Sequence, residues 1–152
     1  MTVNRPHQRP HILIVSDDQG LARFLSEGLL IAGFWTSVIA SALQTIEVFR
    51  LRTFDAVIVD AALEGLGARQ LLLRLHGEEG RSTPLTNRPV VVIAGSPQEL
   101  SEPEADQLGA VKISYPPLDI EPLALDLFRI VADWRLNNPN ELWADEAAQS
   151  PG

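Results

Sequence analysis

Short apolar runs alternate along the chain with longer segments whose apolar residues recur at helical spacing. His11 to Val15, Trp35 to Ile39, Asp55 to Val59, Val90 to Ala94 and Ala110 to Ser114 each predict a strand. Between them, Leu21 to Ala32, Ser41 to about Leu51 and about Leu66 to His76 predict helices. Ser41 can cap the second of these, with Ile46 and Phe49 on its apolar side, and Gly77 directly follows the third. A short helix is expected between Gln98 and Leu108. Asp119 can cap a final helix to about Leu136, with Pro122 in its first turn, where a missing N–H costs little. Gly77 to Pro89 is rich in Gly, Pro, Ser, Thr and charge and reads as a mobile surface loop.

Five strands alternating with five helices predict an α/β architecture. The first, third and fourth runs are apolar on both faces, as in a parallel sheet covered by helices on each side. Right-handed crossovers then give a doubly wound five-stranded parallel sheet flanked by five helices. The expected organisation is a flexible segment over 1–10, one domain over 11–136 and a loosely held acidic tail over 137–152. In such sheets function lies at the carboxyl ends of the strands. Those ends carry Ser16, Asp17 and Asp18, then Asp60, then Ala94, Gly95 and Ser96, then Ser114 to Pro117.

Composition narrows the function classes. The 152 residues are 45% hydrophobic, enough for one ordinary core. No apolar run is long enough to cross a membrane, and Met1 to Pro10 is polar, so a cytoplasmic location is expected. There are no cysteines, which excludes disulfides and thiol chemistry. A net charge of −8 argues against nucleic acid as a partner, and no second, DNA-binding domain is expected. His7 and His11 are four apart, but Pro10 opposes a helix presenting both to a metal. No Gly-rich phosphate loop and no nucleophile–histidine pair stands out.

Asp17 and Asp60 project from one edge of the sheet in this reading. Clustered carboxylates repel and call for a cation or a proton, and oxygen-only ligands suit Mg²⁺. Asp17 and Asp18 could equally serve only to cap the first helix. The stretches Ile12-Leu13-Ile14-Val15-Ser16-Asp17-Asp18, Asp55-Ala56-Val57-Ile58-Val59-Asp60, Leu63-Glu64-Gly65-Leu66, Pro89-Val90-Val91-Val92-Ile93 and Gly109-Ala110 follow one another at a recognisable spacing. Together they resemble the receiver domain of bacterial response regulators, over about Pro10 to Leu136. The resemblance implies that Asp60 stands at the phosphoacceptor position. It also implies a Mg²⁺ site of Asp17, Asp60 and the backbone carbonyl of Ala62, with Asp18 at a further, often acidic, position.

The same comparison shows what is missing. Receivers carry two adjacent acids after the first strand, and Ser16 occupies the first of these positions. Ala94 replaces the hydroxyl residue that holds the phosphoryl group. Ile113 replaces the aromatic switch residue, and Pro116 replaces the lysine of a lysine–proline pair. The Pro116–Pro117 bond is a candidate for the cis form common in the family at this place. A phosphoryl group on Asp60 would add negative charge beside Asp17 with no lysine to offset it. Ala94 has no hydroxyl to donate, so nothing obvious draws a loop toward that group, and a ligand without differential contacts shifts no equilibrium. Lys112, Ser96 and Ser114 are the available substitutes.

The expectation is a receiver-like, non-enzymatic signalling protein of a two-component system, with weak or absent phosphorylation and weak or absent Mg²⁺ binding. Its partners would be a histidine kinase or another protein. A working phosphoacceptor on Asp60 with Mg²⁺ is the alternative. An aspartate-dependent phosphatase ranks lowest, because Ala62 stands where such enzymes carry a second aspartate. On the last helix, Leu123, Leu127, Ile130, Val131 and Trp134 make a core stripe. A second stripe of Leu125, Phe128, Ala132 and Leu136 marks an interaction surface. Either the tail folds over it through Leu142 and Trp143, or another molecule binds there. The resemblance favours a homodimer through the last helix.

Overall fold

The computed structural model describes residues 9–65, 67–77 and 84–144. Strands and helices alternate as β1 (His11–Val15), α1 (Gln19–Ala32), β2 (Trp35–Ile39), α2 (Ala42–Phe49), β3 (Ala56–Asp60), α3 (Ala68–His76), β4 (Val90–Ile93), α4 (Glu102–Gln107), β5 (Lys112–Ser114) and α5 (Ile120–Asn137). All strands are parallel, in the order β2-β1-β3-β4-β5. The doubly wound sheet expected from the sequence is therefore present.

Strand alternation divides the core in two. Leu13, Val15, Val57, Val59, Val90 and Val92 pack toward α2, α3 and α4. Ile12, Ile14, Ala56, Ile58, Val91 and Ile93 pack toward α1 and α5. This explains the unbroken apolar runs, since the central strands have no solvent face. Gly28 leaves room for Ile120 where α1 meets α5.

Local chemistry sets the helix boundaries. Asp18, Ser41 and Asp119 cap α1, α2 and α5 through their side chains. α4 is shorter than expected. Ser101 and Glu104 form a capping box, Pro103 sits in the first turn, and residues 96–100 are a turn. α3 starts at Ala68 after Gly67, and Leu66 lies outside the described residues. Gly109 (φ +91°) leads into β5, and its backbone passes so close to His76 that a Cβ would clash with the imidazole.

Two expectations about loose segments need correction. In the loop after α3, residues 78–83 lie outside the described residues, but its end is fixed: Arg88 is only 5% exposed. The start of the tail is fixed as well. Asp55 is 1% exposed and accepts hydrogen bonds from the backbone N–H of His11 at 2.7 Å and of Ala144 at 3.0 Å. Arg88 reaches Asp55 at 3.4 Å, donates to the carbonyl of Leu142 at 2.8 Å and lies over the ring of Trp134. Arg135 stacks on Trp143. The chain after α5 is thus tied to the amino-terminal edge of the sheet by a buried ion pair. Residues 138–144 belong to the folded unit, and residues 145–152 lie outside the description. Residues 1–8 do so too, whereas Arg9 stacks on Trp35 and the Pro10 carbonyl accepts the Trp35 N–H.

This docking does not cover the second stripe of α5. Leu125 is 63% and Leu136 80% exposed. Phe128 is partly engaged, stacked on Phe34 at 4.1 Å between centroids. That contact turns the stripe toward α1. On the β5 side of α5 stands an ion pair, Lys112–Asp126, at 3.2 Å.

Candidate functional site at the carboxyl edge of the sheet

β1 and β3 are adjacent and parallel, so their carboxyl ends bring Ser16 and Asp60 together. Both side chains are buried, Ser16 at 2% and Asp60 at 5% exposure. The Ser16 hydroxyl donates to Oδ2 of Asp60 at 2.8 Å. Oδ1 of Asp60 accepts the backbone N–H of Ala62 at 2.9 Å. Each carboxylate oxygen therefore already has a protein donor. A hydroxyl that accepts from the Asp18 N–H at 3.1 Å while donating to Asp60 also fixes the turn into α1.

The two other acids have separate work. Asp17 is exposed, and its Oδ2 accepts the backbone N–H of Glu64 at 3.1 Å, joining the loops after β1 and β3. Asp18 turns toward α1, where Oδ1 accepts the Leu21 N–H at 3.1 Å. The capping role holds for Asp18, and the acid expected as a further ligand is spent on the helix terminus. The donor set left for a hard cation is Asp17, Asp60 and the Ala62 carbonyl. Among the described residues no cluster of three acids or histidines stands ready for a metal. Mg²⁺ is held by one or two carboxylates and keeps several waters. Asp17, Asp60 and the Ala62 carbonyl could hold it so, with Ser16 adding no further charge and both Asp60 oxygens already accepting a protein hydrogen bond.

The surrounding positions are no richer in charge. Ala94 is 1% exposed and held by its N–H to the Ser114 carbonyl at 3.0 Å. Ile113 packs against the core. The Pro116–Pro117 bond is cis. Lys112, considered as a substitute cation, is paired with Asp126.

No family model matches the chain, and no curated protein matches it in sequence. Solved structures do match. The signal receiver domain of an HD domain-containing protein from Pseudomonas fluorescens Pf-5 superposes with a TM-score of 0.76 at 20% identity, over 93% of this chain and 100% of that one. A CheY-like response-regulator receiver from Methylobacillus flagellatus gives 0.69 at 25% identity, over 81% and 99%. A sensor protein from Polaromonas sp. JS666 gives 0.71 at 29% identity, over 83% and 98%. This chain has the receiver fold.

Within the receiver fold, the loop from β4 to α4 is held by bonds that the sequence did not disclose. Gly95 N–H donates to Glu99 Oε1 at 2.9 Å. Arg69 of α3 donates to the Glu99 carbonyl at 3.2 Å and to Glu104 at 2.8 Å. That bond, with those from Ser101, holds the Glu104 carboxyl below its usual range. Tyr115 follows β5 and donates its hydroxyl to the Leu100 carbonyl at 2.7 Å. Partial burial, with Glu102 and Glu104 nearby, pushes that phenol up. The register places Tyr115 one residue beyond the strand, and its reach back to the loop became visible only with the fold. The spacing Ser101-x-x-Glu104 was the one local signal available.

Proposed function

We propose that this receiver-fold chain is a two-component signalling module that acts through protein contacts, with weak or absent phosphorylation of Asp60. One observation carries the reading: the Ser16 hydroxyl occupies the face of Asp60 where a second carboxylate would recruit a cation. Asp60 is the candidate phosphoacceptor, and Asp17, Asp60 and the Ala62 carbonyl are the candidate metal ligands. Ser16, Ala94, Ile113 and Pro116 are positions where switching chemistry has been lost. With neither lysine nor a strong cation site, charge added at Asp60 has little to stabilise it.

The partner is a protein, such as a histidine kinase, and the contact surface is the outward stripe of Leu125, Phe128, Ala132 and Leu136. A chain carrying a net charge of −8 has little affinity for nucleic acid. No helix among the described residues is long and apolar enough to cross a membrane, which fits a cytoplasmic protein. No catalytic turnover is assigned to it.

Calorimetric titration with Mg²⁺ tests the site. With Ser16→Asp as the reference, the wild type is expected to bind Mg²⁺ roughly tenfold more weakly, because Ser16 leaves one carboxylate fewer beside Asp60. Wild-type binding as tight as that of Ser16→Asp would defeat the reading.

A further inference from the structure

The two edges of the sheet differ. β5 is three residues long, contains Lys112, and is followed closely by Pro116–Pro117. Short, charged strands near proline resist pairing with another strand. β2 is five residues long, Trp-Thr-Ser-Val-Ile, without charge or proline. It pairs with β1 on one side and with no other strand among the described residues.

The ladder shows which backbone groups stay open. Trp35 N–H donates to the Pro10 carbonyl, and the Ile39 carbonyl accepts from Ser16 N–H. Residues 35, 37 and 39 therefore face β1, and in a parallel ladder the alternate residues face away. Those are Thr36 and Val38. Val38 is 44% exposed and lines a cleft on each face of the edge. One, of about 730 Å³, runs along α2 past Leu43, Val48 and Leu51. The other, of about 570 Å³, runs along α1 past Ala22 and Ser26.

We infer that β2 pairs antiparallel with β2 of a second copy, about a two-fold axis at Ser37. That axis sets Thr36 opposite the partner's Val38, and the reverse, so the outward-facing residues exchange their N–H···O=C bonds. Trp35 falls opposite the partner's Ile39, and every cross-strand pair away from the axis has an apolar member and no charge. Ser37 meets its own copy, with its hydroxyl already engaged by His11 Nε2 at 2.7 Å. The rim does not oppose self-association despite the overall negative charge, and Arg9 over the Trp35 ring sets one cation at each end of the ladder. Arg23–Glu27 at 3.8 Å and Arg50–Glu47 at 3.9 Å are paired within each chain and add little net charge beside the edge. The contact is isologous and closes as a dimer with one continuous sheet. It is separate from the α5 stripe, which stays available to another protein, and it goes beyond the function proposed above.

The test is analytical ultracentrifugation of the full chain, with amide hydrogen exchange at rising protein concentration. The wild type is expected to dimerise by about 100 µM, an affinity between the micromolar and millimolar classes. Val38→Lys, a change at an exposed edge position, is expected to weaken the dimer at least tenfold, whereas Leu125→Asp on α5 leaves it intact. The amides of Thr36 and Val38 are expected to gain protection as concentration rises. A monomer at all concentrations overturns the inference. So does a dimer indifferent to Val38→Lys, or Thr36 and Val38 amides whose exchange is independent of concentration. The exchange result decides the matter if both variants lose the dimer.

Discussion

The Ser16 hydroxyl and the Asp60 carboxylate are joined by a 2.8 Å hydrogen bond that links the ends of β1 and β3. It stands where two acids would otherwise repel each other. Ser16→Asp is expected to restore that repulsion, lowering stability in metal-free buffer and raising Mg²⁺ affinity by roughly tenfold. Ser16→Ala removes a donor from a buried carboxylate, with an expected cost of about 1–3 kcal/mol. Urea unfolding with and without Mg²⁺ checks both. A Ser16→Asp protein indifferent to Mg²⁺ would show that the site lacks more than one acid.

Much of the fold was legible because strand burial and helix caps are local signals. The runs at Ile12, Val57 and Val91 gave central strands, and Asp18, Ser41 and Asp119 marked helix starts. The site positions Ser16, Asp60, Ala94 and Pro116 could be placed by their order along the strand ends. What stayed hidden depends on residues far apart in sequence. Nothing near Asp55 announces Arg88 or Ala144 as its partners, yet these bonds turn an apparent loop and tail into packed structure. The direction of the α5 stripe, likewise, depends on Phe128 finding Phe34.

The buried Asp55–Arg88 pair makes a specific prediction. Burial pushes the Asp55 carboxyl up, against its bonds to His11 and Ala144 and the charge of Arg88. Arg88→Met leaves that acid buried without its cation, at an expected cost of about 3–5 kcal/mol near neutral pH. A raised folded pKa favours the protonated acid, a contribution complete below 3.8 and lost as pH rises through the folded value. The deficit of Arg88→Met should therefore shrink as pH falls toward 4. Thermal unfolding of both proteins across that range decides, and an equal deficit at every pH would contradict the assignment.

His76 points the other way. Burial lowers its pKa from 6.5, opposed by the backbone of Leu72 and Leu108. A depressed histidine contributes stability above 6.5 that is lost as pH falls through its folded pKa. Wild-type stability should decline on acidification below pH about 6.5, and His76→Gln should flatten that slope. Denaturant midpoints for the two proteins, taken from neutral to mildly acidic pH, provide the comparison. Parallel slopes would remove His76 from the account.

Gly109 combines a left-handed backbone with the close imidazole of His76. Gly109→Ala is expected to cost about 1–3 kcal/mol, from backbone strain and the clash together. The double change Gly109→Ala with His76→Ala should recover the part due to the clash. Chemical denaturation of the three variants separates the two contributions.

The central claim is that Asp60 takes up a phosphoryl group weakly or not at all. Intact mass after incubation with Mg²⁺ and a small phosphodonor tests it directly, with Asp60→Asn as the negative control. A variant carrying Ser16→Asp, Ala94→Thr and Pro116→Lys serves as the restored site, and rapid quenching at several times guards against a short-lived label. The account predicts that the wild type gains little or no phosphoryl mass at every time point, far less than an ordinary receiver or the restored site labelled in parallel. A wild type labelled to the extent of an ordinary receiver, with no label on Asp60→Asn, would contradict it.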